Sequence, residues 1–158
     1  MRSDILNLAR DLGVMLATAE SCTGGMVSAA LTDLPGSYAI FDRGFVTYTN
    51  AAKMQMLGVD PATLAANGAV SEAVAGEMAQ GALARSDAAI AVSLSGIAGP
   101  GGSEHKPEGR VCFGLARGDE LRVETVEFGA LGRDAVRVAA RDHALAMILA
   151  ALREMASN

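Results

Sequence analysis

The stretch AAIAVSLS, at residues 88–95, constrains the fold of this chain more than any other part of it. It is apolar or small at every position, which is typical of a strand buried on both faces of a sheet that has helices on both sides. VMLATAE and RGFVTY predict two more strands, and RVCFGLAR and LRVETVEFG, joined by GDE, predict a hairpin. Because helical segments separate the first three strands, we predict an α/β fold: a three-layer α/β/α domain with a mixed, mostly parallel sheet.

Capping residues and glycines mark the predicted helices. Ser3 is expected to cap the first helix, which Gly13 ends. Asn50 is expected to cap the short helix AAKMQML, which stops at Gly58. Further helices are predicted over 24–33, from Ser71 to about 85, and from Gly132 onward. Another is predicted to start at Pro61, with Asp60 as its cap.

Composition argues against several classes of partner. The net charge is −5 and the chain has no Trp and only two Tyr, so we expect no nucleic-acid partner. Cys22, Cys112, His105 and His143 form neither a disulfide framework nor a zinc-ligand pattern, so we expect no metal and no cofactor. The charged N-terminus is unlike a signal peptide, and no apolar run is long enough to span a membrane. We therefore expect one cytoplasmic domain, 1–158, without membrane attachment.

Three of the predicted strands end in polar or glycine-rich residues. ESCTGG follows the first strand, YTNAAK the second and SGIAGPGG the third. In open α/β sheets, ligands bind beyond the carboxyl ends of strands, where helix N-termini present free amides. We therefore expect these three segments to line one pocket.

Ser21 and Lys53 are the candidate catalytic pair in these segments. A serine needs a base, and since no histidine falls at a strand end, that base is an amine or a carboxylate. Lys53 lies in the first turn of its predicted helix, where the helix dipole and burial disfavour an ammonium; a solvated lysine is the alternative. Tyr48 could relay a proton or only form part of the wall, and Glu20 could orient Lys53 or satisfy backbone amides.

The glycine-rich loop and an arginine stripe are candidate anion contacts. The amides of SGIAGPGG suit a phosphate or an oxyanion, and Ser95 is the expected side-chain contact. Arg133, Arg137 and Arg141 share one face of the last helix. Because cations are disfavoured near a helix N-terminus, a phosphate ligand would explain Arg133 and Arg137, whereas Arg141 is interpreted as solvated.

Four motifs together resemble one known family. AESCTGG, VTYTNAAKMQMLGV, GAVSEAVAGEMAQGA and SLSGIAGPGG are similar, in sequence and in order, to the CinA C-terminal domain family, the nicotinamide-nucleotide amidohydrolases also called PncC. The similarity extends from about residue 6 to 152. It implies hydrolysis of the carboxamide of nicotinamide mononucleotide to nicotinate mononucleotide and ammonia. Many members carry an additional N-terminal domain, so we expect this chain to be the stand-alone form.

The resemblance also implies roles for the pocket residues. The family's serine–lysine pair falls on Ser21 and Lys53, and its tyrosine on Tyr48. Its usual threonine in the glycine-rich motif is Ser95 here, which keeps the hydroxyl, and an arginine early in the last helix matches Arg137. The expected substrate contacts are Glu20, Cys22, Thr23, Gly24, Gly25, Ser95, Gly96, Gly99, Gly101 and Arg137.

These roles combine into a metal-independent amide hydrolysis. Ser21 would attack the carboxamide carbon, and neutral Lys53 would accept its proton and return it to departing ammonia, directly or through Tyr48. Amides of the CTGG turn, with Thr23, would stabilise the oxyanion. A catalytically silent nucleotide-binding module and a cysteine hydrolase using Cys22 are the two alternatives. The Ala-rich surface leads us to expect a homodimer.

Overall fold

The computed structural model describes residues 1–158, which form five strands, six α-helices and one 3-10 turn at Ser37–Ala39. The strands are β1 (Leu16–Glu20), β2 (Phe41–Val46), β3 (Ile90–Gly96), β4 (Arg110–Arg117) and β5 (Glu120–Glu127). The helices are α1 (Arg2–Leu12), α2 (Met26–Leu31), α3 (Asn50–Leu57), α4 (Pro61–Asn67), α5 (Glu72–Ala84) and α6 (Arg133–Ala156). None of these helices combines the length and the apolar character needed to cross a membrane.

The strands form one sheet in the order β2-β1-β3-β4-β5. Strands β2, β1 and β3 are parallel neighbours, whereas β4 is antiparallel to both β3 and β5. Four strands therefore run in one direction, and the predicted mixed, mostly parallel sheet is confirmed. Glu20, the last residue of β1, pairs with Leu94 of β3, so the segments after these two strands begin side by side.

Helices cover both faces of the sheet. Helices α1, α2 and α6 pack on one face, and α3, α4 and α5 form the layer on the other. Alternation along β1 divides its side chains: Leu16 belongs to the larger core on the α6 side, whereas Ala17 and Ala19 belong to the smaller core on the α5 side. The predicted three-layer architecture is confirmed.

Small residues let α5 pack close to the sheet and α3 pack close to α5. The hydroxyl of Ser93 on β3 donates to the carbonyl of Ala75 at 2.5 Å. A Cβ on Gly114 of β4 would lie 2.5 Å from the same carbonyl oxygen. On the other side of α5, a Cβ on Gly81 would lie 2.0 Å from the carbonyl oxygen of Leu57 in α3. These close approaches fix the position of α3, the helix that carries Lys53.

Of the predicted helix caps, those at Gly13, Gly58, Asp60 and Ser71 are observed, and those at Ser3 and Asn50 are not. Gly13, with φ 68°, ends α1, and the side chains of Asp60 and Ser71 cap α4 and α5 as predicted. The prediction for Ser3 is wrong, because α1 already begins at Arg2. The cap of α3 is not Asn50 but the preceding threonine, whose hydroxyl accepts from the amide of Ala52 at 3.0 Å while its own backbone stays extended.

Candidate active site

A cavity of about 430 Å³ opens at the carboxyl ends of β1 and β3. Its walls come from the turn after β1, the segment after β2, the start of α3, the loop between β3 and β4, and Arg133 at the start of α6. Its volume is within the range of about 300–1,000 Å³ that small-molecule sites occupy. The three strand-end segments singled out in the sequence therefore meet at one cavity.

Glu20 organises the turn between β1 and α2. Its carboxylate is completely buried, and Oε1 accepts hydrogen bonds from the Thr23 hydroxyl at 2.6 Å and from the amides of Gly25 and Val27 at 3.2 and 2.9 Å. Oε2 accepts from the amide and the hydroxyl of Ser28, at 3.0 and 2.8 Å. These five hydrogen bonds and the N-terminus of α2 compensate for burying the charge. Glu20 therefore satisfies backbone amides, the second of the two roles considered for it.

Ser21 and Lys53 meet at the floor of the cavity. The Nζ atom of Lys53 lies 3.1 Å from Oγ of Ser21 and donates to the carbonyl of Thr47 at 2.8 Å. Ser21 is 8% exposed and Lys53 is 1% exposed, so bulk water has little access to either group. A carbonyl partner for one N–H leaves the amine free to face the serine hydroxyl.

The environment of Lys53 favours its uncharged form. Burial lowers the pKa of the amine, and the negative charges that Cys22, as a thiolate, and Glu104 at the cavity rim can carry oppose that shift to a lesser extent. Lys53 also lies in the first turn of α3, where the helix dipole disfavours a cation. No carboxylate lies within ion-pair distance of its Nζ. An uncharged lysine 3.1 Å from a hydroxyl can accept its proton.

Cys22 lines the same cavity next to Ser21. Burial raises the pKa of its thiol to about 11, in spite of the nearby amides of Cys22 and Gly96. The reactive form of a cysteine is the thiolate. A protonated thiol is a poor nucleophile, so the geometry and the pKa favour Ser21 over Cys22.

Tyr48 and Arg133 form part of the cavity rim. Tyr48 is 58% exposed, and its hydroxyl accepts from Arg133 at 2.9 Å. The same guanidinium donates to the carbonyl of Gly99 at 2.9 Å. Tyr48 makes no hydrogen bond to Ser21 or Lys53. The tyrosine is therefore placed to contact a ligand in the cavity.

The loop between β3 and β4 closes one side of the cavity. Ser95, Gly96, Gly99 and Gly101 line it, and Ser95 is 1% exposed. The amide of Gly101 donates to the carboxylate of Glu108 within the same loop. The loop thus contributes a buried serine to the cavity wall and uses one of its amides internally.

Comparison with known proteins identifies the family. The sequence model of the CinA C-terminal domain matches residues 1–152. The chain belongs to the CinA C-terminal domain family. It is 53% identical over 148 residues to the nicotinamide-nucleotide amidohydrolase PncC of Enterobacter agglomerans. The alignment covers 92% of this chain and 88% of that protein. The chain is 54% identical over 134 residues to PncC of Escherichia coli K12, covering 84% and 81% of the two chains.

Other CinA relatives are longer, and solved structures share the fold. A CinA-like protein of Chlorobaculum tepidum is 49% identical over 156 residues, which cover 96% of this chain but 37% of that protein, so the chain spans about a third of its length. The crystal structure of CihA from Agrobacterium tumefaciens superimposes with a TM-score of 0.86 at 48% identity, covering 95% and 96% of the two chains. The crystal structure of ComA from Klebsiella pneumoniae superimposes with a TM-score of 0.92 at 37% sequence identity, and the match covers 96% of this chain and 94% of that chain.

Arg137 and four residues of the turn lie outside the cavity in this CinA domain. Arg137 donates to the carbonyls of Cys22 and Thr23, at 3.0 and 3.3 Å, and so braces the turn from behind. Glu20, Thr23, Gly24 and Gly25 belong to that turn or to its hydrogen bonds and do not line the cavity. The structure therefore places these expected substrate contacts behind the nucleophile, because their polar groups bond to one another.

The sequence analysis missed several cavity residues. The carbonyl of Thr47 accepts a hydrogen bond from Lys53. Asn50, Val70 and Glu104 line the cavity but were not expected to contact a ligand. A backbone carbonyl leaves no signal in the residue type. Asn50 did carry a signal, since it lies in the YTNAAK segment, but it was interpreted as a helix cap.

Glu20→Ala should lower the free energy of unfolding by about 3 kcal/mol or more, because several buried donors lose a charged acceptor. Urea unfolding measures this. Glu77 offers a matched control, since it also accepts two hydrogen bonds, from the amide of Asp60 and the hydroxyl of Thr63, but is partly exposed. Glu77→Ala should cost about 1 kcal/mol. Equal losses in the two variants would show that the buried carboxylate has no special role.

Proposed function

We propose that this CinA domain hydrolyses the carboxamide of nicotinamide mononucleotide, giving nicotinate mononucleotide and ammonia. The observation that carries the proposal is the buried lysine whose Nζ lies 3.1 Å from Oγ of Ser21 inside a cavity of suitable size. The substrate comes from relatives at 53–54% identity that are named nicotinamide-nucleotide amidohydrolase. Amide hydrolysis needs a nucleophile, a base and a proton for the leaving amine, and the serine–lysine pair can supply all three.

In the first step, Lys53 accepts the hydroxyl proton as Oγ of Ser21 attacks the carboxamide carbon. The carbonyl of Thr47 accepts one N–H of the amine, which leaves the lone pair of the uncharged amine free to face Oγ. Burial lowers the pKa of the amine, which favours its uncharged form before the reaction and makes the resulting ammonium a better acid than an exposed lysine. The lysine is therefore prepared both to take the proton and to release it.

The developing oxyanion needs hydrogen-bond donors. The Thr23 hydroxyl donates to Glu20 and is not available. The residue Cys22 lines the cavity next to Ser21, and its amide makes no hydrogen bond to a backbone carbonyl, so we assign the oxyanion to this amide. The hydroxyl of Ser95 is a second donor or acceptor for the carboxamide.

In the second step, Lys53 returns the proton to the leaving nitrogen. Breaking the C–N bond of the carboxamide releases ammonia and leaves the carboxyl group of nicotinate mononucleotide esterified to Oγ of Ser21. Water, deprotonated by the now neutral Lys53, attacks this ester, and the acid is released as Oγ recovers its proton. Because Tyr48 bonds to Arg133 and not to Lys53, we assign the proton transfers to Lys53 alone and Tyr48 to substrate contact.

Arg133, not Arg137, is the proposed phosphate ligand. Its guanidinium lines the cavity, and two of its five N–H donors are used by Tyr48 and Gly99, so others remain for a ligand. It is also the first residue of α6, where the helix N-terminus favours an anion. Arg137 is committed to the carbonyls of Cys22 and Thr23.

Purified protein should release ammonia from nicotinamide mononucleotide, also in the presence of a chelator. Lys53→Arg should reduce kcat by about 100-fold or more with a small change in KM, because arginine stays protonated near neutral pH and cannot act as a base. Coupled ammonia assays measure both constants. Lys53→Met, which removes the amine without introducing a fixed charge, should show the same loss.

Two outcomes would contradict this mechanism. A near-normal kcat in Lys53→Arg would make Lys53 a binding residue. Tight binding of the nucleotide by the wild-type protein without any ammonia would favour the nucleotide-binding module over the enzyme.

Arg133→Ala should raise KM for nicotinamide mononucleotide by about tenfold or more, the effect of losing a charge-assisted hydrogen bond. KM for nicotinamide riboside, which lacks the phosphate, should change little. Arg141→Ala is the matched control, because Arg141 lies two turns further along α6 and pairs with Asp142. Steady-state kinetics on both substrates test this, and an equal increase in the two KM values would remove Arg133 from the phosphate site.

A further inference from the structure

The loop 96–109 carries its own anionic ligand. Gly99 and Gly101 have φ values of 91° and 79°, in the left-handed region found in turns whose amides form anion-binding concavities. Because Pro100 between them has no N–H, the amide of Gly101 is the next donor along this turn. The group bound there is the carboxylate of Glu108, which accepts from the amide of Gly101. A side chain of the chain itself thus occupies the position that an anion would take.

Glu108 fills the inner side of this loop. A Cβ added to Gly99 would lie 2.7 to 2.9 Å from the carboxyl group and Cγ of Glu108, so the side chain packs directly against the glycine backbone. Two other side-chain anchors of the loop are cations: Lys106 donates to the carbonyls of Asn67 and Val70, and Arg133 donates to that of Gly99. The loop carries a second carboxylate, Glu104, which packs against Gly68, but Glu108 is the one that accepts from an amide of the glycine-rich turn.

We propose that Glu108 excludes anions from the glycine-rich loop by occupying its anion-binding amide. Resting on the function proposed above, this directs the nucleotide phosphate to Arg133 and leaves the loop to contact uncharged parts of the substrate. A phosphate at Gly101 would compete with Glu108 for the same N–H and would lie beside a carboxylate, which like-charge repulsion disfavours. The phosphate role expected for the glycine-rich loop therefore passes to Arg133, whose guanidinium borders the loop at the carbonyl of Gly99.

Binding of inorganic phosphate, measured by calorimetry, tests this without any turnover. Glu108→Ala frees the amide of Gly101 and removes the repulsion, so the dissociation constant for phosphate should fall by about fivefold or more, as removal of a repulsive element does. The same gain should occur in an Arg133→Ala background, where the proposed phosphate ligand beside the loop is missing. A residue that only stabilises the loop would produce no gain when removed.

Glu108→Gln is a second variant that tests the proposal if Glu108→Ala does not fold. Glutamine keeps the size of the side chain and a carbonyl acceptor for Gly101 but removes the charge, so it should give a gain smaller than that of alanine. Unchanged or weaker phosphate binding in the folded variants, in either background, would overturn the proposal. Tighter phosphate binding by the Glu108 variants of a protein that releases no ammonia would support the role of Glu108 and reject the amidohydrolase function. A failure of this proposal is therefore distinguishable from a failure of the proposed function.

Discussion

The buried carboxylate of Glu20 is the contact on which the geometry of the site depends. Its side chain ties the start of α2 to the end of β1, and this fixes the turn that carries Ser21. Its backbone carbonyl accepts from the amide of Thr47 at 2.8 Å, and the carbonyl of Thr47 in turn holds Lys53. One residue thus positions both the proposed nucleophile, Ser21, and the carbonyl that binds the proposed base, Lys53.

Packing then determines the chemistry of Lys53. Small residues on α5 and the sheet bring α3 close, and the amine is buried where neither bulk water nor a paired carboxylate stabilises its charge. Burial of this kind is costly for a structural lysine. It is useful for a base, because the uncharged amine is the form that accepts a proton. The site therefore uses a destabilising feature of the fold for its reaction.

Much of this site could be predicted from the sequence, because ligands bind at the carboxyl ends of parallel strands. Which side chains of α6 face the cavity could not be predicted. Ser21, Lys53 and Ser95 follow or end predicted strands, so parallel strands had to bring them to one edge. Arg133 and Arg137 are one turn apart on α6, and the sequence does not reveal which of the two reaches the cavity; the structure places Arg133 there and turns Arg137 toward backbone carbonyls. The carbonyl of Thr47 could not be predicted either, because every residue type has a backbone carbonyl.

The pKa of Lys53 is the quantity that tests the serine–lysine mechanism most directly. The chain has two lysines, Lys53 and Lys106, so protein labelled with ¹³C-lysine gives two side-chain resonances, and Lys53→Arg assigns them. We predict that the Lys53 resonance titrates below the ordinary pKa of lysine, and that kcat/KM for nicotinamide mononucleotide rises with pH through the same value. A Lys53 resonance that titrates at the ordinary lysine value, with activity already constant far below it, would contradict the mechanism.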